Sequence, residues 1–306
     1  MKRNYGISSG ILLVFVLAAS LLAGCKGGKK ATEDELKVEL SAEDKSAILQ
    51  DIKKAENIFN ALPSPLESAM LIKSAGARFN EKVLNSVSSV GNYVTNKSMA
   101  LNLGVYTCDL SFASLYEQTQ LLIDYMNSAK KMADGLGILK AIQQEDIDKL
   151  EENINNTEVI MDIVSQTFMN SNSYLEDNGQ PATAAMVLVG GWIEGLYIST
   201  QLVDMKDFNN NKLVAKIIDQ KLSIDILLSL LESSKGNPAV DELIVEVSKL
   251  KAVFDKINIQ TSPVRPEYDA ATNTTVLKSE VKSDMTPAVF TELTNTVASI
   301  RTSFVK

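Results

Sequence analysis

PATAAMVLVGGWIEGLYISTQLV, residues 181–203, begins with a proline and is apolar along nearly its whole length. Proline is favoured in the first turn of a helix, and the segment contains the only tryptophan of the chain, Trp192. A helix that is apolar on all of its faces is normally buried in the core of a protein. The segment therefore predicts a central helix against which the rest of the fold packs.

Apolar residues recur at helical spacing through most of the remaining chain. In the last predicted helix, Phe290, Leu293, Val297, Ile300 and Phe304 follow one another at alternating steps of three and four residues. Similar spacing, bounded by capping residues, prolines and glycines, predicts further helices at 41–62, 64–76, 79–87, 98–133, 138–147, 158–174, 213–231 and 240–257. The predicted fold class is therefore all-α, a helical bundle of about nine helices.

Residues 259–283 interrupt the helical pattern. Pro263 and Pro266 lie close together, and the segment Thr274-Thr275-Val276 is β-branched throughout. We expect a loop with a minor β-hairpin in this part of the chain. Residues 41–306 as a whole are predicted to form a single helical domain.

The first 25 residues have the features of a bacterial lipoprotein signal. Lys2 and Arg3 precede an apolar run over 11–22, which as a helix is about 18 Å long and too short to cross a bilayer. The run ends in LAGC (22–25), which resembles the bacterial lipobox, with small residues before the cleavage point and a thiol that accepts the lipid. We predict a signal peptide at 1–24 and lipidation, including palmitate, at Cys25. The alternatives are an ordinary signal peptide or an anchor helix with an incidental cysteine.

The residues after Cys25 indicate how the domain is held. Residues 26–35 are polar and charge-rich, so 25–40 are predicted to be the lipidated cysteine and a flexible tether. An aspartate directly after the lipidated cysteine would favour the inner membrane in some bacteria, but Lys26 stands there. We therefore expect a cell-envelope protein anchored in the outer membrane. Both the periplasmic and the surface side of that membrane are possible locations for its domain.

The composition argues against several kinds of function. The chain has no histidine, the commonest general base and metal ligand, and Cys108, in an apolar helical pattern, is interpreted as a buried hydrophobic residue. Loss of Lys2 and Arg3 with the signal peptide leaves 28 basic against 38 acidic residues, a net charge of −10, which argues against nucleic-acid binding. We predict no enzyme activity, catalytic residue, cofactor or metal. The acidic residues at 145–152 are interpreted as a solvated helix face.

Two parts of the chain resemble each other. LYEQTQL at 115–121 matches LYISTQL at 196–202 at five of seven positions. A second, sparser match follows at an offset of 86 rather than 81, and the asparagine-rich turn at 209–211 would absorb the five extra residues. We infer two pseudo-symmetric helical units, each a long helix followed by a second one, with a chance match as the alternative.

Some of the same segments carry a family resemblance. SPLE (64–67), NLGVY (102–106) followed by DL (109–110), LGI (136–138) and GGWIEGLY (190–197) resemble a family of helical lipoproteins from Bacteroidetes. The resemblance covers about 55–231 and leaves out the segment after Ile259. It implies a membrane-anchored helical domain, and it assigns no catalytic residues.

The repeated segment also suggests a candidate site. Its tyrosine, threonine and glutamine stand three and four residues apart, which places them on one face of a helix. If both copies pack together, with glycines at 104, 190, 191 and 195 allowing close approach, a polar and aromatic pocket lies between the central helices. The candidate ligand-binding residues are Asp109, Tyr116, Gln120, Trp192, Glu194, Tyr197 and Gln201. The alternative, which we favour, is a hydrogen-bonded network that fixes the register of the helices.

These features predict a membrane-anchored envelope lipoprotein with a helical binding or scaffolding domain and no catalysis. Its expected partners are the membrane, through the N-terminal lipid, and a protein of the envelope, with no nucleic acid. The alternative is a small-molecule-binding lipoprotein, or a carboxylate-based hydrolase, that uses the polar aromatic pocket.

Overall fold

The computed structural model describes residues 62–142, 144–261, 265–269, 274–278 and 281–306. The predicted signal peptide, Cys25 with its tether, and the first predicted helix up to residue 61 lie outside the described residues. The described part contains nine α-helices: α1 (Pro65–Ser74), α2 (Asn96–Leu115), α3 (Thr119–Gly135), α4 (Gln144–Glu152), α5 (Thr157–Asp177), α6 (Pro181–Gln201), α7 (Lys212–Ser233), α8 (Pro238–Phe254) and α9 (Pro287–Phe304). The all-α helical bundle is confirmed.

The central pair of helices is α2 and α6. Every residue of α6 from Thr183 to Leu196 is buried, and so is every residue of α2 from Ala100 to Leu115. A Cβ atom added to Gly190 would lie 2.0 Å from the carbonyl oxygen of Leu101, and one added to Gly104 would lie 2.1 Å from the carbonyl oxygen of Val187. The two backbones can approach this closely only because both positions are glycine.

Helix α6 is long and apolar enough to cross a membrane. Among the helices in the described ranges, it is the one that meets this criterion of length and composition. Its most apolar window is 83% buried within the fold. A core helix of a water-soluble domain passes the same test, because burial against other helices requires the same apolar surface. The prediction of a central buried helix is confirmed.

The helix predicted over 98–133 is two helices, so that prediction was wrong. Tyr116 caps α2, and Glu117 has a φ of 59°, a left-handed conformation that ends the helix. The chain then turns into α3 at Thr119. Neither glycine nor proline marks this break in the sequence. It is stabilised by tertiary contacts, because Lys73 donates to the carbonyl of Leu115 and the Tyr116 hydroxyl donates to the carbonyl of Ala77 at 2.6 Å.

Two shorter segments also differ from the prediction. The helix expected at 79–87 is replaced by two 3₁₀ helices, Glu81–Val83 and Val87–Asn92. The helix expected at 138–147 is a 3₁₀ turn, Leu139–Ala141, followed by α4. Short elements such as these depend on local capping: here the side chains of Asn80 and Ser86 accept backbone N–H groups. The spacing of apolar residues does not predict such caps.

The connection between α8 and α9 contains four short strands, as predicted for 259–283. Strand β1 (Ile259–Thr261) pairs antiparallel with β4 (Val281–Ser283), and β2 (Arg265–Asp269) pairs antiparallel with β3 (Thr274–Lys278). The chain then enters α9, which Thr286 caps by accepting the N–H of Val289. The predicted apolar stripe of α9 is buried, and α9 packs on α6 and α8.

The two copies of the repeated segment occupy different positions. Leu115–Leu121 spans the break between α2 and α3, whereas 196–202 forms the last turn and C-cap of α6. The connection from α2 to α3 is three residues long, while the connection from α6 to α7 contains a 3₁₀ helix, Met205–Asn210. Both units are a helix followed by a helix, but the repeated side chains do not have equivalent surroundings.

Candidate functional site

Glu194 lies in the middle of α6 and is fully buried. The fold surrounds it with apolar helices, so its charge needs a partner inside the protein. That partner is Arg301 of α9, 107 positions further along the chain. Arg301 donates from Nε to Glu194 Oε2 at 2.9 Å and from Nη2 to Glu194 Oε1 at 3.0 Å. Both carboxylate oxygens are therefore bound by one guanidinium group.

Tyr197 completes the surroundings of this guanidinium. It stands one helical turn after Glu194 on α6, and the Cζ atom of Arg301 lies 4.7 Å from the centre of its ring. A guanidinium stacked over an aromatic ring gains a cation–π interaction without losing its hydrogen bonds. The Arg301 side chain is 12% exposed, so the pair is shielded from bulk water on nearly all sides.

Asp109 of α2 is the second buried carboxyl group at this site. Its Oδ2 accepts the backbone N–H of Asn85 at 3.1 Å, while its Oδ1 has no partner among the N–H and O–H donors of the described residues. The Asp109 and Glu194 carboxyl groups are near enough for the negative charge of Glu194 to raise the Asp109 pKa. Two carboxylates this close cannot both be ionised, so one of them must hold a proton.

The proton belongs to Asp109. Burial, together with the negative charge of Glu194, raises the Asp109 pKa well above its usual range. Burial also raises the Glu194 pKa, but Arg301 and the hydrogen bond from Asp109 both oppose that rise. A protonated Asp109 carboxyl group can act as a hydrogen-bond donor to an acceptor such as the Glu194 carboxylate. Asp109 is neutral and Glu194 balances Arg301, so this buried triad, Asp109–Glu194–Arg301, carries no net charge.

A layer of polar side chains extends from the triad to the C-terminal end of α9. Asn102 donates to the carbonyl of Phe304 at 2.7 Å, and the Tyr93 hydroxyl donates to the carbonyl of Val305 at 3.3 Å. Asn85 joins the two, because its amide donates to Tyr93 at 3.1 Å and to Asn102 at 3.3 Å. The last carbonyls of a helix have no intrahelical donors, so these side chains hold the end of α9 against α2.

Two further tyrosines lie against the same layer. The Tyr106 hydroxyl donates to the carbonyl of Ser86 at 3.0 Å, and the Tyr125 hydroxyl donates to the carbonyl of Asn85 at 2.9 Å. Burial raises the pKa of both phenols, so they remain neutral donors. They fix the segment at 85–86, which in turn presents its N–H to Asp109.

The structure brings together only some of the seven candidate residues. Asp109, Glu194 and Tyr197 meet at the triad. Tyr116 packs on Phe79 and Phe112 near the end of α2, because the helix break removes it from the face that Asp109 occupies. The predicted convergence of the two repeated segments is therefore wrong.

The remaining candidates also lie apart from the triad. Gln120 is exposed and donates to Asp124 within α3, and Gln201 is exposed at the end of α6. Trp192 is 3% exposed and donates from its indole nitrogen to Gln220 of α7 at 3.2 Å. Trp192 and Glu194 point to different neighbours, as expected for two residues about 200° apart on a helix.

Arg301 is not among the site residues predicted from the sequence. One signal was present in the sequence. A glutamate within an apolar helix requires a buried cation, arginine suits a bidentate pair best, and after the signal peptide the chain has only Arg78, Arg265 and Arg301. Arg301 is the only one of the three next to a predicted buried stripe.

The geometry favours a structural role for this network. Glu194 and Asp109 have no exposed surface, and Arg301 occupies both oxygens of Glu194, so a substrate has no route to either carboxyl group as the helices stand. Burial also raises the pKa of Cys108, the thiol next to Asp109, well above its usual range, which keeps it unreactive. Among the described residues, no group of three or more acidic or cysteine side chains is arranged to hold a metal ion.

Comparisons of the chain with protein-family profiles, with curated proteins and with solved structures gave no match.

Proposed function

We propose that this chain is a lipid-anchored lipoprotein of the bacterial cell envelope whose helical domain binds a partner protein or packs into an envelope assembly, without catalysis. The observation that carries the proposal is the LAGC segment at 22–25, directly after an apolar run that is too short to span a bilayer. The outer membrane is the proposed location because Lys26, and not an aspartate, follows the lipidated cysteine.

The buried triad supports the non-catalytic part of this proposal. Its charges are balanced within the chain. Hydrogen bonds join α6 to α9 through Glu194 and Arg301, and the neighbouring Asn102 joins α2 to the end of α9. A network of this kind resists displacement of one helix against another, because breaking it would leave buried charges unpaired. This rigidity suits a domain that presents a fixed surface at the end of a tether.

The alternative of a small-molecule site or a carboxylate-based hydrolase at the predicted polar pocket receives less support. It needs Asp109, Glu194 and the two repeated segments to face one space. Instead, the guanidinium of Arg301 fills the space beside Glu194, and Gln120 and Gln201 are exposed.

Extraction of the wild-type lipoprotein from membranes in a mild detergent tests the function class. We expect a protein partner to co-purify in a fixed ratio. We expect a Cys25→Ser chain, which cannot be lipidated, to be absent from the outer membrane and to lose the partner. A monomer that carries a bound small molecule and no protein would support the alternative and contradict the proposal.

A further inference from the structure

A second site, separate from the triad, lies between α2, α3, α4 and α5. It is a cavity of about 80 Å³ whose walls are mostly aliphatic and aromatic side chains, including Leu110, Ile163 and Phe168. One water molecule needs roughly 10–15 Å³, and apolar cavities of this kind stay dry and accept apolar molecules. The cavity is therefore suited to an apolar guest.

Two polar atoms of residues in this apolar wall have no hydrogen-bond partner among the described residues. Asn172 lines the cavity and is 4% exposed, and its Oδ1 has no hydrogen-bond donor. Thr167 lines the same cavity, and its hydroxyl oxygen is buried without a partner. Buried polar groups in folded proteins are nearly always hydrogen-bonded, so a buried amide oxygen and a buried hydroxyl without partners in the residues that line one cavity indicate a guest that supplies a missing bond.

The apolar wall of the cavity favours an uncharged guest, because a charge inside it would have no counter-charge. Lys130 is exposed and Asp146 is half-buried, and these two lining residues mark the side on which the cavity reaches solvent. A hydroxyl group is compatible with both, since it can donate to a carboxylate or an amide oxygen and accept from an ammonium or a hydroxyl group.

We propose that this cavity binds an uncharged aliphatic molecule that carries a hydroxyl group, such as an alkanol, with the hydroxyl donating to Asn172 Oδ1. The site does not depend on Cys25 or on a protein partner. A result that contradicts the lipid anchor would therefore not contradict the cavity site, and a result that contradicts the cavity site would not contradict the lipid anchor.

The test uses two isomeric probes small enough for the cavity, butan-1-ol and 1-methoxypropane, which have the same atoms but differ in that only the alcohol donates a hydrogen bond. The protein is the full mature polypeptide with Cys25→Ser, which keeps it in solution without detergent. Isothermal titration should show the alcohol binding. In Asn172→Leu the affinity for the alcohol, relative to that for the ether, should fall roughly tenfold, as expected for one lost hydrogen bond.

A matched pair of alanine variants tests the location. Ala129 lines the cavity on α3, and Ala239 is a half-buried alanine on α8 that does not. Ala129→Leu should abolish binding of both probes, while Ala239→Leu should leave both affinities unchanged. The proposal is overturned if the folded parent chain binds neither probe, if Ala129→Leu binds them as well as the parent does, or if Asn172→Leu leaves the ratio of the two affinities unchanged. If Ala129→Leu does not fold, the ratio in Asn172→Leu decides.

Discussion

Replacement of Asp109 by asparagine should stabilise the protein, and the gain should increase with pH. Asparagine can still accept the N–H of Asn85 through its Oδ1, and its Nδ2 is a donor that the Glu194 carboxylate can accept. It removes the cost of keeping a carboxyl group protonated at a pH where the unfolded chain would release the proton. A substitution of a fully buried acidic residue is thus expected to be favourable.

The sign and size follow from proton linkage. The Asp109 pKa is raised well above its ordinary value of 3.8, so above about pH 4 the folded chain holds a proton that the unfolded chain has lost. The stability of the wild type then falls relative to the variant by about 1.4 kcal/mol for each pH unit until the folded pKa is reached. The advantage of Asp109→Asn should therefore grow steadily with pH above about pH 4 and level off once the pH passes the folded pKa.

Urea unfolding followed by far-UV circular dichroism, repeated from about pH 4 to about pH 7, measures this difference. Asp162→Asn is the matched control, because Asp162 is an exposed aspartate on α5 and its variant should show no growing advantage. A loss of stability in Asp109→Asn that does not change with pH would refute the reasoning. A growing advantage in Glu194→Gln instead would place the proton on Glu194.

Gly190→Ala should lower the free energy of unfolding in urea by about 3 kcal/mol or more, because its Cβ would meet the Leu101 carbonyl. Gly91→Ala, in open space, should change it by no more than about 0.5 kcal/mol. Equal effects would contradict the close packing of α2 and α6. Asn102→Ala should lower the free energy of unfolding by about 1–3 kcal/mol and speed hydrogen exchange at the end of α9, because the Phe304 carbonyl loses its donor. Unchanged exchange there would count against the network. Trp192 should emit at short wavelength and resist acrylamide quenching until the protein unfolds, since it is 3% exposed; ready quenching in the native state would show that α6 is not central.

The helices with clear termini could be predicted from the sequence. Helix α1 begins with the cap Ser64, followed closely by Pro65 and by Glu67, the partner of the cap. Neighbouring residues therefore determine where this helix begins. The burial of α6 followed from composition alone. Both features depend on short-range patterns, which a single sequence displays.

The break between α2 and α3 and the partner of Glu194 could not be predicted in the same way. Glu117 adopts a left-handed conformation because contacts from Lys73 and Tyr116 hold the chain there. No residue type next to Glu117 in the sequence predicts this conformation. The bond between Glu194 and Arg301 joins positions 107 residues apart, and it depends on how α9 packs on α6. The existence of a buried partner could be deduced from the sequence, but its identity required the fold.

Mass spectrometry of the N-terminus of the protein extracted from membranes tests the lipid anchor most directly. Processing after LAG at 22–24 should give a chain that begins at Cys25 and carries a thioether-linked diacylglyceryl group, and Cys25→Ser should remain as an unlipidated precursor. A soluble wild-type chain that begins at another residue, or a mature chain with an unmodified Cys25, would contradict the proposal that this protein is a lipid-anchored lipoprotein.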